Sequence, residues 1–121
     1  MTRILVVEDN SMNMELVTYL LQSNGMEVTQ AVDGPEALER IKNDLFDLVL
    51  LDIQLPGIDG LEVLKKIKEN PALQQMPVVA LTAHSMQGDE QNFIRAGCSG
   101  YISKPIDVSL FMMEVRSFIT I

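Results

Sequence analysis

Tryptophan is absent from these 121 residues, histidine and cysteine occur once each (His84, Cys98), and aromatic residues make up 5% of the chain. One cysteine closes no internal disulfide, and there is no Cys/His cluster for zinc, so the fold has to stand on an apolar core. A chain of this length has room for one domain of ordinary size, spanning 1–121, and can bury a core without staples. Long hydrophobic runs are also missing. The longest strings of Ile, Leu and Val, Ile4–Val7 and Leu48–Leu51, hold four residues each, against the roughly 20 that a membrane helix requires. The first residues carry one base, Arg3, and then reach Glu8 and Asp9, unlike a secretory leader. Positive charge is the scarce sign: 9 Lys and Arg against 17 Asp and Glu leave −8, the wrong balance for reading nucleic acid through its phosphates. The expectation is a cytoplasmic protein with neither nucleic acid nor membrane among its partners.

What is present is an alternation. Ile4-Leu5-Val6-Val7 reads as a strand buried on both faces. Met14, Val17, Leu20 and Leu21 recur at helical spacing over Ser11 to Asn24, and Gly25 stops the helix. Glu27 to Val32 reads as a weaker strand, and Asp33-Gly34-Pro35-Glu36 as a helix entry with a capping acid and an early proline, with Ala37, Leu38 and Ile41 inward. Asp47 to Leu51 is a third strand; a helix over Ile58 to Glu69 turns Leu61, Leu64 and Ile67 inward. Val78 to Leu81 is a fourth strand, Ser85 to Ala96 a polar helix, and Gly100 to Ser103 a short fifth strand. The last helix starts at Asp107, with Val108, Phe111, Met112, Val115, Phe118 and Ile119 on its inner face. Five βα units with buried strands predict an α/β fold: a doubly wound, five-stranded parallel sheet with helices on both faces.

In such a sheet right-handed crossovers bring the carboxyl ends of all strands to one edge, where ligands bind. Glu8 and Asp9 follow the first strand, Asp52 ends the third, Thr82 the fourth, and Ser103-Lys104 the fifth. Carboxylates brought together repel one another unless a cation joins them. An oxygen-only donor set suits Mg²⁺ rather than a soft metal. A carboxylate can serve as a nucleophile that forms an acyl phosphate, with a metal and a lysine neutralising the transferred group. Acids at strand ends also cap helices, and Glu8-Asp9-Asn10 could serve the first helix in that way.

Ile4-Leu5-Val6-Val7-Glu8-Asp9-Asn10, Leu48-Val49-Leu50-Leu51-Asp52-Ile53-Gln54-Leu55-Pro56-Gly57, Ala80-Leu81-Thr82-Ala83 and Ser103-Lys104-Pro105 together resemble the receiver domain of two-component response regulators, over the whole chain and in order. The resemblance implies the flavodoxin-like (βα)5 fold and a phosphoacceptor, Asp52. It implies Mg²⁺ held by Asp9 and Asp52, by Glu8 through water and by the Gln54 backbone carbonyl, with Thr82 and Lys104 on the phosphoryl group. Thr82 and Tyr101 become the switch pair, the Lys104–Pro105 bond is expected to be cis, and Gln54 and His84 occupy the positions that tune loss of the phosphate. The implied donor is a histidine kinase or a histidine phosphotransfer protein. The implied output is contact with a downstream protein through the fourth helix, fifth strand and last helix, as a monomer or a weak phosphorylation-dependent dimer. The stretch after Pro105 accommodates one helix and no output domain, so the chain is most similar to stand-alone receivers of the DivK type or to receiver modules of hybrid histidine kinases. The only catalysis expected is on its own phosphorylation and dephosphorylation, so it is not otherwise an enzyme.

Three other readings stand beside this one. A phosphatase that forms an aspartyl phosphate resembles Asp-x-Asp at its nucleophile, where Gln54 stands here. A flavodoxin-type nucleotide binder needs a phosphate cradle where Glu8-Asp9-Asn10 would repel phosphate. A receiver-like module could also bind partners without being phosphorylated. Among single residues, His84 reads as a surface position, Cys98 as inert packing, and Lys65, Lys66 and Lys68 as a solvated helix face. Met113 falls off the inner face of the last helix.

Overall fold

A computed structural model describes residues 2–55, 60–82 and 94–119. Strand β1 (Arg3–Val7) leads into helix α1 (Ser11–Ser23), followed by β2 (Glu27–Ala31), α2 (Gly34–Asn43), β3 (Leu48–Asp52), α3 (Gly60–Glu69), a short 3-10 turn (Pro71–Leu73), β4 (Val78–Thr82), β5 (Gly100–Ser103) and a C-terminal helix (Val108–Phe118). The strands form one parallel sheet in the order β2-β1-β3-β4-β5. The order reverses between β1 and β3, so the crevice for a ligand opens where those two strands end. The expected polar helix falls largely outside the described residues, as does His84; Ile94 and Arg95, at its end, are helical.

Side-chain alternation splits the core into two layers. Leu5, Val7, Val49, Leu51, Val78 and Ala80 face Ala37, Ile41, Val63, Leu64 and Ile67 of α2 and α3. Ile4, Val6, Leu48, Leu50, Val79, Leu81 and Ile102 face Met14, Val17 and Leu21 of α1 and Phe111 and Val115 of the C-terminal helix. Short polar side chains start the helices. Asn10 Oδ1 accepts the Asn13 N–H at 3.0 Å, Asp33 Oδ1 accepts that of Glu36 at 2.9 Å, and Asp107 Oδ1 accepts that of Ser109 at 3.0 Å. Gly25, at φ 81°, closes α1 in the left-handed region that glycine enters without strain.

Four details depart from the sequence reading. Val108 is 57% exposed: it sits in the first turn of its helix, and full burial begins at Phe111. Asp47 precedes β3, its carboxylate accepting the Arg3 N–H at 2.8 Å, and β2 stops at Ala31, leaving Val32 exposed. Lys68 is no solvated bystander, since its Nζ donates to the carbonyls of Met76 at 2.7 Å and Gln74 at 3.2 Å and so ties α3 to the segment entering β4.

Candidate functional site

Backbone hydrogen bonds carry the sheet one step past its strands and fix the residues at its carboxyl edge. The Glu8 N–H donates to the Ala31 carbonyl at 3.0 Å, the Ile53 N–H to Leu81 at 3.1 Å, and the Lys104 N–H to Thr82 at 2.8 Å. Glu8, Asp52 and Lys104 are thereby set on backbone that belongs to the sheet rather than to free loops. Gly60 packs against the far side of this edge. A Cβ placed there would stand 2.5 Å from both the Asp52 carbonyl oxygen and the Ile53 Cα, so glycine is the residue that lets α3 begin so close to Asp52.

Glu8 is fully buried, and Asp52 and Thr82 are 3% and 2% exposed, whereas Asp9 is open to solvent. Glu8, Asp9 and Asp52 each place a carboxylate oxygen within 4.8 Å of the others. Lys104 enters this cluster from across the sheet. Its Nζ donates to Glu8 Oε1 at 2.9 Å, to Glu8 Oε2 at 3.0 Å and to Asp52 Oδ2 at 3.0 Å. The other Asp52 oxygen, Oδ1, accepts the Gln54 N–H at 2.9 Å, and Glu8 Oε1 also accepts from Asn13 Nδ2 at 2.9 Å. The Lys104–Pro105 bond is cis.

Electrostatics mark the cluster as unusual. Burial, and then hydrogen bonding with Asp52, push the Glu8 carboxyl up to about 7 against the opposing pull of Lys104 and Asn13. Burial works against the Lys104 ammonium, yet hydrogen bonds to Glu8 and Asp52 hold it above its usual range. Three carboxylates against one ammonium leave a formal 1 − 3 = −2 when all are ionised. A divalent cation would balance that charge. All the donors are oxygens on short side chains, and Asp9 keeps the cluster open to water, so the residues present fit a hard ion such as Mg²⁺.

Every described residue expected at the edge is there. Glu8, Asp9, Asp52 and Lys104 form one cluster, Thr82 ends the adjacent β4, and Tyr101 lies half-buried in β5 against the core. Sequence reasoning missed Asn13, whose contact with Glu8 lies hidden in what reads as an ordinary first helical turn. Elsewhere, Cys98 is buried and its thiol is pushed up to about 11 by that burial, as inert packing requires.

Comparison with known proteins agrees with this geometry. The family model for the response regulator receiver domain matches residues 4–116. The polar-differentiation response regulators DivK of Brucella anthropi and Brucella ovis are each 42% identical over 116 residues, covering 96% of this chain and 94% of theirs. Among solved structures, the chemotaxis response regulator CheY4 of Vibrio cholerae superposes with a TM-score of 0.94 at 26% identity, covering 98% of this chain and 99% of its own. The receiver domain of the sensor histidine kinase PA1611 from Pseudomonas aeruginosa, whose structure holds a magnesium ion in its active-site cleft, gives 0.88 at 32% identity over 97% and 96%.

Proposed function

This chain belongs to the response regulator receiver domain family, and on that basis we propose that Asp52 accepts a phosphoryl group from a phosphohistidine of a histidine kinase or histidine phosphotransfer protein. One observation carries the proposal: a nearly buried carboxylate at the switch point of the sheet lies 3.0 Å from a lysine ammonium and within 4.8 Å of two further acids. For stability alone such a cluster is a poor choice, since each buried charge is costly to desolvate.

An Asp52 carboxylate oxygen attacks phosphorus. The O–P bond forms as the N–P bond breaks, the electron pair returns to the imidazole nitrogen, and that nitrogen takes a proton from solvent. Lys104, held charged by its two acidic neighbours, supplies a donor to a phosphoryl oxygen, and the Thr82 hydroxyl on the neighbouring strand supplies another. Mg²⁺, when held by Asp9, Asp52, the Gln54 carbonyl and, through water, Glu8, would neutralise phosphoryl charge; the Pseudomonas relative holds a magnesium ion in its active-site cleft. Catalysis is confined to forming and losing this acyl phosphate, with Gln54 and His84 at the positions that tune the loss.

The new phosphoryl contacts of Thr82 and Lys104 bias a two-state element that includes Tyr101. The readout is a protein contact on the side carrying β5 and the C-terminal helix, where Val108 and Met113 are exposed, made by a monomer or a weak phosphorylation-dependent dimer. The −8 net charge disfavours a nucleic acid partner. Among the described residues no helix is long and apolar enough to cross a membrane, and we assign the protein to the cytoplasm with its kinase.

Intact mass after incubation with Mg²⁺ and acetyl phosphate tests the reading. One phosphoryl group is expected on the wild type and none on Asp52→Asn. An unlabelled wild type that binds Mg²⁺ and also fails to change its spectrum with beryllofluoride would leave a receiver that signals by binding alone.

A further inference from the structure

We propose that Asn13 is a positioning residue for this site: it holds the Glu8 carboxylate in place when Lys104 is drawn to a phosphoryl group on Asp52. The inference rests on the reading of Asp52 as phosphoacceptor. Asn13 is the third residue of α1, and its backbone N–H is already satisfied by Asn10 Oδ1 at 3.0 Å. At that place in a helix a side chain commonly turns back to a free N–H at the helix start. Glu36, third in α2, does so here, with its Oε1 accepting the Val32 N–H at 3.0 Å. Asn13 does not; its Nδ2 extends instead to Glu8 Oε1 at 2.9 Å. Asparagine is also a poor helix former, so local structure does not explain its presence.

The hydrogen bonds of Glu8 explain it better. Glu8 is fully buried, and among the described residues its two oxygens draw on two side-chain donors, Lys104 and Asn13. Lys104 is shared with Asp52, and a phosphoryl group there competes for the same ammonium. Asn13 then remains, a donor with no second acceptor among the described residues. It is neutral and adds no fourth negative charge, whereas an aspartate at 13 would. An ionised carboxylate can only accept, so the amide nitrogen is the atom that faces it.

The test is a double-mutant cycle of Asn13→Ala and Glu8→Gln, with Asn13→Ser as a second truncation. Alanine favours the helix more than asparagine does, so α1 is retained. Two quantities are read: Mg²⁺ affinity by calorimetry without any phosphodonor, and the initial rate of labelling by acetyl phosphate. Loss of an outer partner to a metal site ordinarily weakens binding by about tenfold or more. That loss is expected for Asn13→Ala with Glu8 present, and less than about twofold in the Glu8→Gln background, because the coupling runs through Glu8. Equal losses in both backgrounds, or wild-type affinity and rate in Asn13→Ala and Asn13→Ser, would overturn the proposal. If the wild type is neither labelled nor changed in its spectrum by beryllofluoride, the Asp52 reading fails, and the calorimetric cycle still decides whether Asn13 acts through Glu8.

Discussion

The most exacting consequence of the buried cluster is a pH-dependent stability that belongs to one residue. In the metal-free fold the Glu8 carboxyl titrates at about 7, whereas its ordinary value is 4.5. Below about pH 4.5 the acid is protonated in both folded and unfolded chains and contributes no slope. As pH rises beyond that, the unfolded chain releases its proton first, while the fold keeps Glu8 protonated until about pH 7. The folded state therefore binds more protons over this window, and stability falls with rising pH. Each pH unit of difference is worth about 1.36 kcal/mol. Integrated between pH 5 and pH 8, the loss is about 2 to 3 kcal/mol, most of it between pH 5 and pH 7.

Glu8→Gln removes the titration and keeps the shape and an acceptor for Lys104. The offset between the two proteins at pH 5 is not the point, since it mixes lost charge pairing with gained desolvation. The slope is. Urea unfolding in EDTA at pH 5, 6, 7 and 8 should show the variant gaining on the wild type by about 2 to 3 kcal/mol across the series. Groups that titrate away from the cluster are present in both chains and cancel in the difference. Parallel curves would refute the account of Glu8 as a desolvated acid. They would mean instead that Lys104 holds Glu8 as a fixed anion, whose titration lies below this pH window.

Two further changes probe the backbone around the site. Gly60→Ala puts a methyl group 2.5 Å from two backbone atoms next to Asp52, so a strand end or a helix start has to shift; a loss of about 2 kcal/mol is expected, read as a fall of about 8 °C in Tm, with slower acetyl phosphate labelling. A melt within about 2 °C of wild type at an unchanged labelling rate would contradict the close approach. Gly100→Ala drives a methyl into the ring of Phe118, a half-buried side chain that can give way; it should destabilise by about 1 kcal/mol, and Gly100→Ala with Phe118→Leu should be more stable than the sum of the single changes.

Strands β1, β3 and β4 were legible because a strand buried on both faces permits little but Ile, Leu, Val and Ala, and each holds four such residues in a row, Ile4–Val7, Leu48–Leu51 and Val78–Leu81. β2 was weaker for a physical reason. It is an edge strand that buries only Ala31 completely, and its apolar content is diluted accordingly. Val108 misled because helical spacing reports which side of a helix a residue occupies, not whether the sheet extends far enough to cover it. The site was legible to the extent that topology alone dictates it: a residue following a strand in a parallel sheet has one edge to go to. Contacts formed by long side chains were not. Lys104 reaches Glu8 across 96 residues of sequence and Lys68 reaches Met76 across 8, and neither distance leaves a periodic trace.

The placement of Lys104 also limits how such a site can communicate. It follows directly on β5, its N–H bonds the Thr82 carbonyl of β4, and its side chain spans from Glu8, after β1, to Asp52 on β3. Tyr101 sits three residues earlier in the same short strand, half-buried against the core. A ligand at Asp52 that takes even one of the Lys104 hydrogen bonds changes the forces on β5 itself. The core beneath is close-packed and responds by moving between arrangements rather than by yielding locally. Tyr101 packs in the layer that also holds α2 and α3, and those helices join the cluster through β3 and the Gly60 contact. Under the proposed function, occupancy of Asp52 would reach β5 through Lys104, the lysine that balances the acids and is bonded to β4 by its own N–H.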